Sequence, residues 1–188
     1  MIARKYAAGV ATVAGIGLCA LTAAMPASAA TAGGAGAFGS RALTAGVAQS
    51  QITQVQSEVK SFLSHNSGTQ VALNKVDFDG GNIEFDVAGV NAQQESAAGI
   101  VPLDTSCSYY YFCGWSGDNF TGNKISIEKC GVYHAIGWGA GGSWKNNEST
   151  GTQAGMYNSS YDLIYLTPPA YSQDATGNWT PVYYLRAC

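Results

Sequence analysis

Apolar residues between positions 51 and 63 recur at helical spacing, three or four positions apart. They are Ile52, Val55, Val59, Phe62 and Leu63. This spacing places all of them on one face of a helix. Ser50 can cap the start of that helix, and Asn66 or Gly68 can stop its end. The pattern therefore predicts an amphipathic helix.

The next stretch alternates strictly between apolar and acidic side chains, which is typical of a half-buried strand. The apolar positions are Val76, Phe78, Ile83, Phe85 and Val87, and the acidic ones are Asp77, Asp79, Glu84 and Asp86. Gly80, Gly81 and Asn82 separate the two runs and tolerate the positive φ of a tight turn. We predict a β-hairpin whose acids form a solvated face, because the order of calcium ligands in an EF-hand is not present.

Two segments beside this helix and hairpin lack periodicity. Residues 31–48 are mostly Gly, Ala, Ser and Thr, which predicts a flexible lead-in. Residues 88–105 show neither helical nor strand spacing, which predicts a linker. Residues 30–104 are therefore expected to form a small helix-plus-hairpin unit that would be only marginally stable alone.

From Cys107 onward the composition becomes that of a compact β module. All four Trp and ten of the eleven Tyr lie there, among frequent Gly and Asn. Strands are predicted over residues 109–115, 124–127, 163–166 and 182–185. The expected fold class is mainly β, with a small antiparallel sandwich following the helix and hairpin.

The first residues have the three-part order of an export signal. Arg4 and Lys5 precede an uncharged run over residues 7–25, and small residues follow at positions 27–29. The run is long enough to span a bilayer, but its Gly and Ala content and Pro26 favour a cleavable signal over a membrane anchor. We predict a signal peptide over residues 1–29 and a secreted, extracellular product.

Four cysteines remain after this cleavage: Cys107, Cys113, Cys130 and Cys188. In an oxidising compartment an even number predicts two disulfides, and three pairings are open. A zinc site is not expected, because the sequence has no C-x-x-C pair.

Charge and histidine content exclude several function classes. Charged residues make up 11% of the chain and the net charge is −3, so no basic stripe is available for nucleic acid. No second apolar segment is long enough to span a membrane. We expect the protein to be a monomer. Only His65 and His134 could act as a catalytic base, and no nucleophile elbow or phosphate loop is present. We therefore expect that the protein is not an enzyme and that it binds no cofactor and no metal.

One short motif in the β module points to a specific fold. Trp115 is followed after four residues by Phe120 and, after one more, by Gly122. In a folded hairpin the first aromatic packs over the turn, the second enters the core, and the glycine takes a conformation closed to side chains. The motif resembles the Greek-key signature of βγ-crystallins.

Neighbouring residues extend this resemblance. The stretch from Cys107 to Cys113, the aromatic motif and the later Ser143-Trp144-Lys145-Asn146-Asn147 are together similar to an actinobacterial family of secreted peptidase inhibitors with the βγ-crystallin fold. The resemblance covers residues 106–188. It implies a peptidase-inhibitor-type domain over residues 105–188, in which Ser143 closes the Greek key.

The same resemblance implies a disulfide pairing and a second key. By analogy Cys107 pairs with Cys113, and Cys130 pairs with Cys188. A second Greek key is expected between residues 157 and 188, where no second signature is visible.

Calcium binding is not expected, because the chain departs from the calcium-binding members of that family. Those members have paired Asn or Asp before the closing serine, whereas this chain has Gly139, Ala140, Gly141 and Gly142. These residues offer no side-chain oxygen. Residues 146–150 half-match the calcium pattern but are followed by Gly151 instead of Ser.

The leading functional hypothesis is a secreted inhibitor that blocks an extracellular protease through a rigid loop. The candidate loops are residues 137–148 and 167–179. Trp138, Trp144 and Asn146 are the candidate partner-binding residues, whereas Trp115 and Trp179 are assigned to the core.

Two further hypotheses stay open. The domain also resembles antimicrobial, killer-toxin-like proteins, so its Trp and Tyr surface is a candidate for stacking on cell-wall sugars. Alternatively, the helix-plus-hairpin unit is a pro-segment that is removed near residue 104 after export.

Overall fold

The computed structural model describes residues 33–188, so the predicted signal peptide over residues 1–29 lies outside the described residues. The helices in this range are α1 (Gly33–Thr44), α2 (Gln49–Leu63) and α3 (Ala92–Ala98). The strands are β1 (Thr69–Ala72), β2 (Lys75–Phe78), β3 (Gly81–Glu84), β4 (Tyr111–Gly117), β5 (Thr121–Ile127), β6 (His134–Ala135), β7 (Gly141–Asn147), β8 (Gly155–Tyr157), β9 (Leu163–Leu166), β10 (Ser172–Asn178) and β11 (Tyr184–Arg186).

The amphipathic helix is confirmed as α2. Its buried residues are Ile52, Val55, Val59 and Phe62. The predicted N-cap at Ser50 is wrong, because the helix begins at Gln49 and Ala48 takes the cap position. The backbone N–H of Ala48 donates to Oε1 of Gln51 at 2.9 Å. The first turn is therefore stabilised by the Gln51 side chain, and this bond is one of the two that form a capping box.

The expectation of a flexible lead-in is wrong over the residues of α1. This helix has a short apolar contact with the core through Ala42, and Val47 is buried just after it. The guanidinium Nε of Arg41 donates to the carbonyl of Ala97 at 2.8 Å, which attaches α1 to α3. The helix is thus held by tertiary contacts, because its Gly-rich sequence has weak intrinsic helix propensity.

The predicted linker contains α3, which has its own start and stop signals. The side-chain oxygen of Asn91 accepts from the backbone N–H of Gln94 at 3.0 Å. The Gln94 side-chain oxygen accepts from the N–H of Asn91 in return, at 3.2 Å. Gly99 ends the helix with a φ of 68°, a left-handed conformation that favours glycine. The prediction of an unstructured linker is therefore wrong over residues 92–98.

The predicted hairpin is confirmed as β2 and β3, which pair antiparallel with Phe78 opposite Gly81. The turn is Asp79-Gly80, with a φ of 82° at Gly80, so the predicted turn is wrong at Gly81 and Asn82, which already pair within β3. The acidic face is not solvated throughout, because Glu84 is buried and its carboxylate accepts from Nζ of Lys75 at 3.2 Å.

The strands form a seven-stranded sheet, in the order β1-β2-β3-β5-β4-β7-β10, and a four-stranded sheet, in the order β6-β11-β8-β9. The boundary predicted at residue 104 does not divide the larger sheet, since β3 pairs with β5 and places Ile83 opposite Ile125. One buried cluster joins Val55 of α2 to Phe112 of β4 and Leu185 of β11. The helix, the hairpin and the β module therefore share a sheet and a core.

Strands β4 to β7 and strands β8 to β11 form two interlocked sets of four. In each set the first, second and fourth strands share a sheet, while the third strand lies in the other sheet. Thus β6 pairs with β11, and β10 pairs with β7. The second set, residues 155–186, largely overlaps the region where the resemblance implied a second key, although its sequence lacks the motif.

Both disulfides are confirmed. Cys107 is bonded to Cys113, with 5.8 Å between their Cα atoms, and Cys130 is bonded to Cys188, with 4.8 Å between theirs. Such bonds form and persist in an oxidising compartment. Between residues 33 and 188, no helix combines the length and the apolar character needed to cross a membrane.

Candidate functional site

The aromatic motif forms a tightly bonded turn between β4 and β5. The rings of Trp115 and Phe120 meet edge to face, with centroids 5.3 Å apart. Gly122 has a φ of 77°, as the motif predicts. Ser143 reaches this turn from β7: its Oγ accepts from the N–H of Phe120 and donates to the carbonyl of Gly117, both at 2.8 Å. This arrangement holds the turn to the sheet.

Phe120 does not enter the core, contrary to the expectation for the second aromatic. Its side chain is half-buried, and the ammonium of Lys145 lies 4.1 Å from the ring centroid. Trp115 is buried, as predicted, and its indole N–H donates to the carbonyl of Asp104 at 3.1 Å. The motif is thus part of the scaffold.

Two of the three candidate partner-binding residues are wrong. Trp144 is 3% exposed and Asn146 is fully buried, so both side chains belong to the packed interior. Both lie on β7, an interior strand between β4 and β10. Only residues 137–140 of the first candidate loop precede this strand as a loop. Trp138, in that loop, is half-buried and stays accessible.

The side chain of Asn146 instead holds the turn that follows β9. Its Nδ2 donates to the carbonyl of Thr152 at 2.9 Å, to Oγ1 of Thr167 at 3.0 Å and to the carbonyl of Pro168 at 3.2 Å. Thr167 is fully buried, and its Oγ1 also accepts from the N–H of Ala154 at 2.9 Å. One buried amide therefore fixes the chain directly after β9.

We name residues 163–171 the β9 segment. It comprises β9 and the turn that follows, which overlaps the start of the second candidate loop. All four side chains of β9 are exposed: Leu163 by 52%, Ile164 by 40%, Tyr165 by 42% and Leu166 by 45%. Tyr171, at the far end, is 61% exposed. The segment is the longest run of exposed large apolar side chains in the described residues.

A second accessible feature is a pocket of about 400 Å³ between α2 and residues 135–140, which we name the α2 pocket. Trp138 and Tyr183 contribute aromatic rings to it, and Glu58, Ser61 and His65 contribute polar groups. The sequence predicted Trp138 as a candidate partner-binding residue. It did not single out Glu58, Ser61 or Tyr183, because they lie on elements that come together only in the fold.

Two buried titratable groups lie outside both features. Burial lowers the pKa of His134 to about 4, with the Asp79 carboxylate opposing the shift. The His134 ring packs on Phe78, with centroids 4.4 Å apart. Burial also raises the pKa of Glu148 to about 7, opposed in part by the backbone N–H of Cys188. His65 is exposed, and its Nδ1 lies 2.9 Å from Oγ of Ser64.

Potential metal ligands do not cluster in the described part of the chain: residues 33–188 hold no group of three or more His, Cys, Asp or Glu that could bind an ion.

Comparisons with known proteins do not assign the chain to a family. The chain matches no family model, no curated protein and no solved structure.

Proposed function

We propose that the protein is a secreted peptidase inhibitor that blocks an extracellular protease with the β9 segment. The observation that carries this proposal is an exposed apolar edge strand whose following turn is held by a buried side chain. The export-like N-terminus and the two disulfides support secretion.

The position of β9 suits insertion into a protease cleft. The strand lies at one edge of the four-stranded sheet, and its outer side faces no other strand of residues 33–188. An extended segment of this kind can pair with a partner's backbone, while its side chains fill pockets. Leu163, Ile164, Tyr165 and Leu166 would supply those side chains.

The anchored turn would make the segment a poor substrate. Asn146 and Thr167 fix its position, and the rings of Pro168 and Pro169 restrict the φ angles of these two residues themselves. A segment ordered before binding loses little conformational entropy in the complex. A cleft that binds it tightly would then cleave it slowly.

The resemblance over residues 106–188 supports the same class. The interlocked sets of four strands and the turn held by Ser143 are compatible with a βγ-crystallin-like scaffold. We therefore propose that scaffold for the β module.

A panel of secreted metalloproteases and serine proteases, assayed with the mature chain in micromolar excess, tests the proposal. We expect inhibition of at least one protease. Leu166→Asp should weaken that inhibition by roughly tenfold or more, because a carboxylate would be buried in the contact. Val71→Asp is the matched control: Val71 lies on edge strand β1 of the other sheet and is 43% exposed.

Inhibition of no protease in the panel would contradict the function. Equal weakening by the Leu166 and Val71 variants would contradict the role of the β9 segment. Both variants should keep the melting temperature of the parent chain to within a few degrees, since both sites are exposed.

A further inference from the structure

The α2 pocket is a built cavity whose shape is fixed by hydrogen bonds between α2 and the sheets. Oε2 of Glu58 accepts from Nδ2 of Asn123 at 2.8 Å. Asn66 exchanges two bonds with Ala135: its Nδ2 donates to the carbonyl at 3.0 Å, and its Oδ1 accepts from the N–H at 2.9 Å. Glu58 and Asn66 precede residue 104, whereas Asn123 and Ala135 follow it, so the pocket exists only where the helix and the β module meet.

The aromatic rings of the pocket are held in place by their neighbours. Trp138 packs edge to face on the buried Trp179, with centroids 5.5 Å apart. Tyr183 packs against Tyr184 at 4.7 Å and against His65 at 6.5 Å. Both rings are partly accessible and line the pocket. They offer preformed apolar surfaces to a ligand.

The polar side chains of the pocket come from α2, from the residues after it and from strands β4 and β5. Glu58 and Ser61 lie one helical turn apart and both line it. The Glu58 carboxylate keeps free acceptor capacity, because two oxygens can accept about four hydrogen bonds. Beside Trp138, the space around Gly137 and Gly139 is open, with no atom within 4 Å of where a side chain would start. A ligand can therefore approach this backbone closely.

Charge and volume restrict the ligand class. Among the described residues that line the pocket there is no Lys or Arg, and Glu58 is the one carboxylate, so phosphates and carboxylates are disfavoured. The volume falls within the roughly 300–1,000 Å³ range of small-molecule sites. A sugar ring has apolar C–H faces and a rim of hydroxyl groups. It can rest on an aromatic ring while its hydroxyls bond to carboxylate, hydroxyl and backbone groups.

We propose that the α2 pocket binds one or two rings of an uncharged saccharide. Trp138 and Tyr183 contact the faces of the sugar, and Glu58 and Ser61 accept from its hydroxyls. The site does not depend on the inhibitor function, because the β9 segment contributes no residue to it.

The test is a calorimetric titration of the mature chain with cellotriose and with tri-N-acetylchitotriose, followed by amide NMR. We expect at least one trisaccharide to bind and to shift the amides of residues 58–66 and 137–140. Trp138→Ala and Tyr183→Ala should each weaken binding by about tenfold, which is about 1.4 kcal/mol. Tyr109→Ala is the control, since Tyr109 is 55% exposed outside the pocket, and it should leave the affinity unchanged.

Trp138→Phe separates lost binding from lost folding, because it keeps an aromatic ring against Trp179. This variant should melt with the parent chain and retain part of the affinity. Titration with tetramethylammonium gives a further check, since a carboxylate beside aromatic rings is also a site for cations. The proposal is overturned if neither trisaccharide shifts the pocket amides, if the Tyr109 and Trp138 variants bind alike, or if tetramethylammonium binds more tightly than both sugars.

Discussion

The hydroxyl of Ser143, on β7, accepts a hydrogen bond of 2.8 Å from the backbone N–H of Phe120, which lies in the turn between β4 and β5. Ser143 is fully buried, and the same oxygen donates to the carbonyl of Gly117. Phe120 has a φ of 62° and its neighbour Asn119 a φ of 56°, both unusual for residues other than glycine. One hydroxyl thus supports a turn in a costly conformation.

Ser143→Ala should therefore destabilise the fold. It leaves a backbone donor and a backbone acceptor unpaired, which costs about 1–3 kcal/mol. Urea unfolding followed by tryptophan fluorescence measures the loss. Ser159→Ala, at an exposed position, is the control and should change the free energy of unfolding by less than about 0.5 kcal/mol. Equal effects of the two changes would show that the Ser143 hydroxyl does not support the turn.

Asn146→Ala should loosen the β9 segment specifically. Removing the amide takes one donor from Thr167 Oγ1 and from the carbonyls of Thr152 and Pro168, and it leaves the backbone N–H of the buried Glu148 without its acceptor, at a cost of about 1–3 kcal/mol. We expect faster hydrogen exchange at the amides of Thr167 and Ala170 than at β4 and β5 in the same variant. If the chain acts as an inhibitor, this variant should also be cleaved faster within the segment. Uniform exchange throughout the sheets would contradict a local anchoring role.

Glu148 should make stability fall as the pH rises. Its pKa is about 7 in the folded protein, against 4.5 as the ordinary value, so the folded state binds the proton more tightly. The contribution is fully present below about pH 4.5 and is lost as the pH rises through 7. Glu148→Gln should therefore raise the free energy of unfolding at pH 8 by roughly 1–3 kcal/mol, and change it little at pH 4.

Urea unfolding between pH 4 and pH 8 measures this dependence. Glu95→Gln, the same chemical change at a partly exposed site on α3, is the matched control. A Glu148→Gln variant with the pH dependence of the parent chain would contradict the role of burial.

Residues 105–188 should not be independently stable. Without β3, strand β5 becomes an edge, and the core loses Ile83 and Phe85. A chain starting at residue 105 should therefore unfold at a lower urea concentration than a chain starting at residue 30. Its amide NMR signals should show little or no dispersion. The longer chain should unfold in one transition, because its sheet and core are continuous. If the shorter chain is equally stable, residues 30–104 are dispensable and a pro-segment role is favoured.

Local patterns predicted the elements that depend on local physics. The helical spacing around Val55, the glycines between the two apolar runs and the alternation at Val76 and Ile83 identified α2 and the hairpin. A signal for α3 was also present in Asn91, Gln94 and Gly99, and a search for caps would have found it. The mainly β class and both disulfides agree with the expectations.

Other elements depend on partners distant in sequence. Strand β7 contains two glycines and mostly polar residues, yet it is interior because β4 and β10 pair with it. Asn146 carries a polar side chain and is fully buried because its amide bonds to the chain on both sides of β9, at Thr152 and at Thr167 and Pro168. The run Leu163–Leu166 was predicted as a strand, but its exposure followed only from its place at a sheet edge.

Each set of four strands contributes its third strand, β6 or β10, to the sheet of the other set, and this exchange affects the kinetics of folding. The larger sheet is completed by β10, and β6 has no partner strand until β11 is made, so neither sheet is complete until residues 172–186 have been synthesised. Contacts between segments so distant in sequence form slowly, because the intervening chain must first be ordered. We therefore expect folding after synthesis, on the millisecond-to-second timescale typical of non-local β proteins.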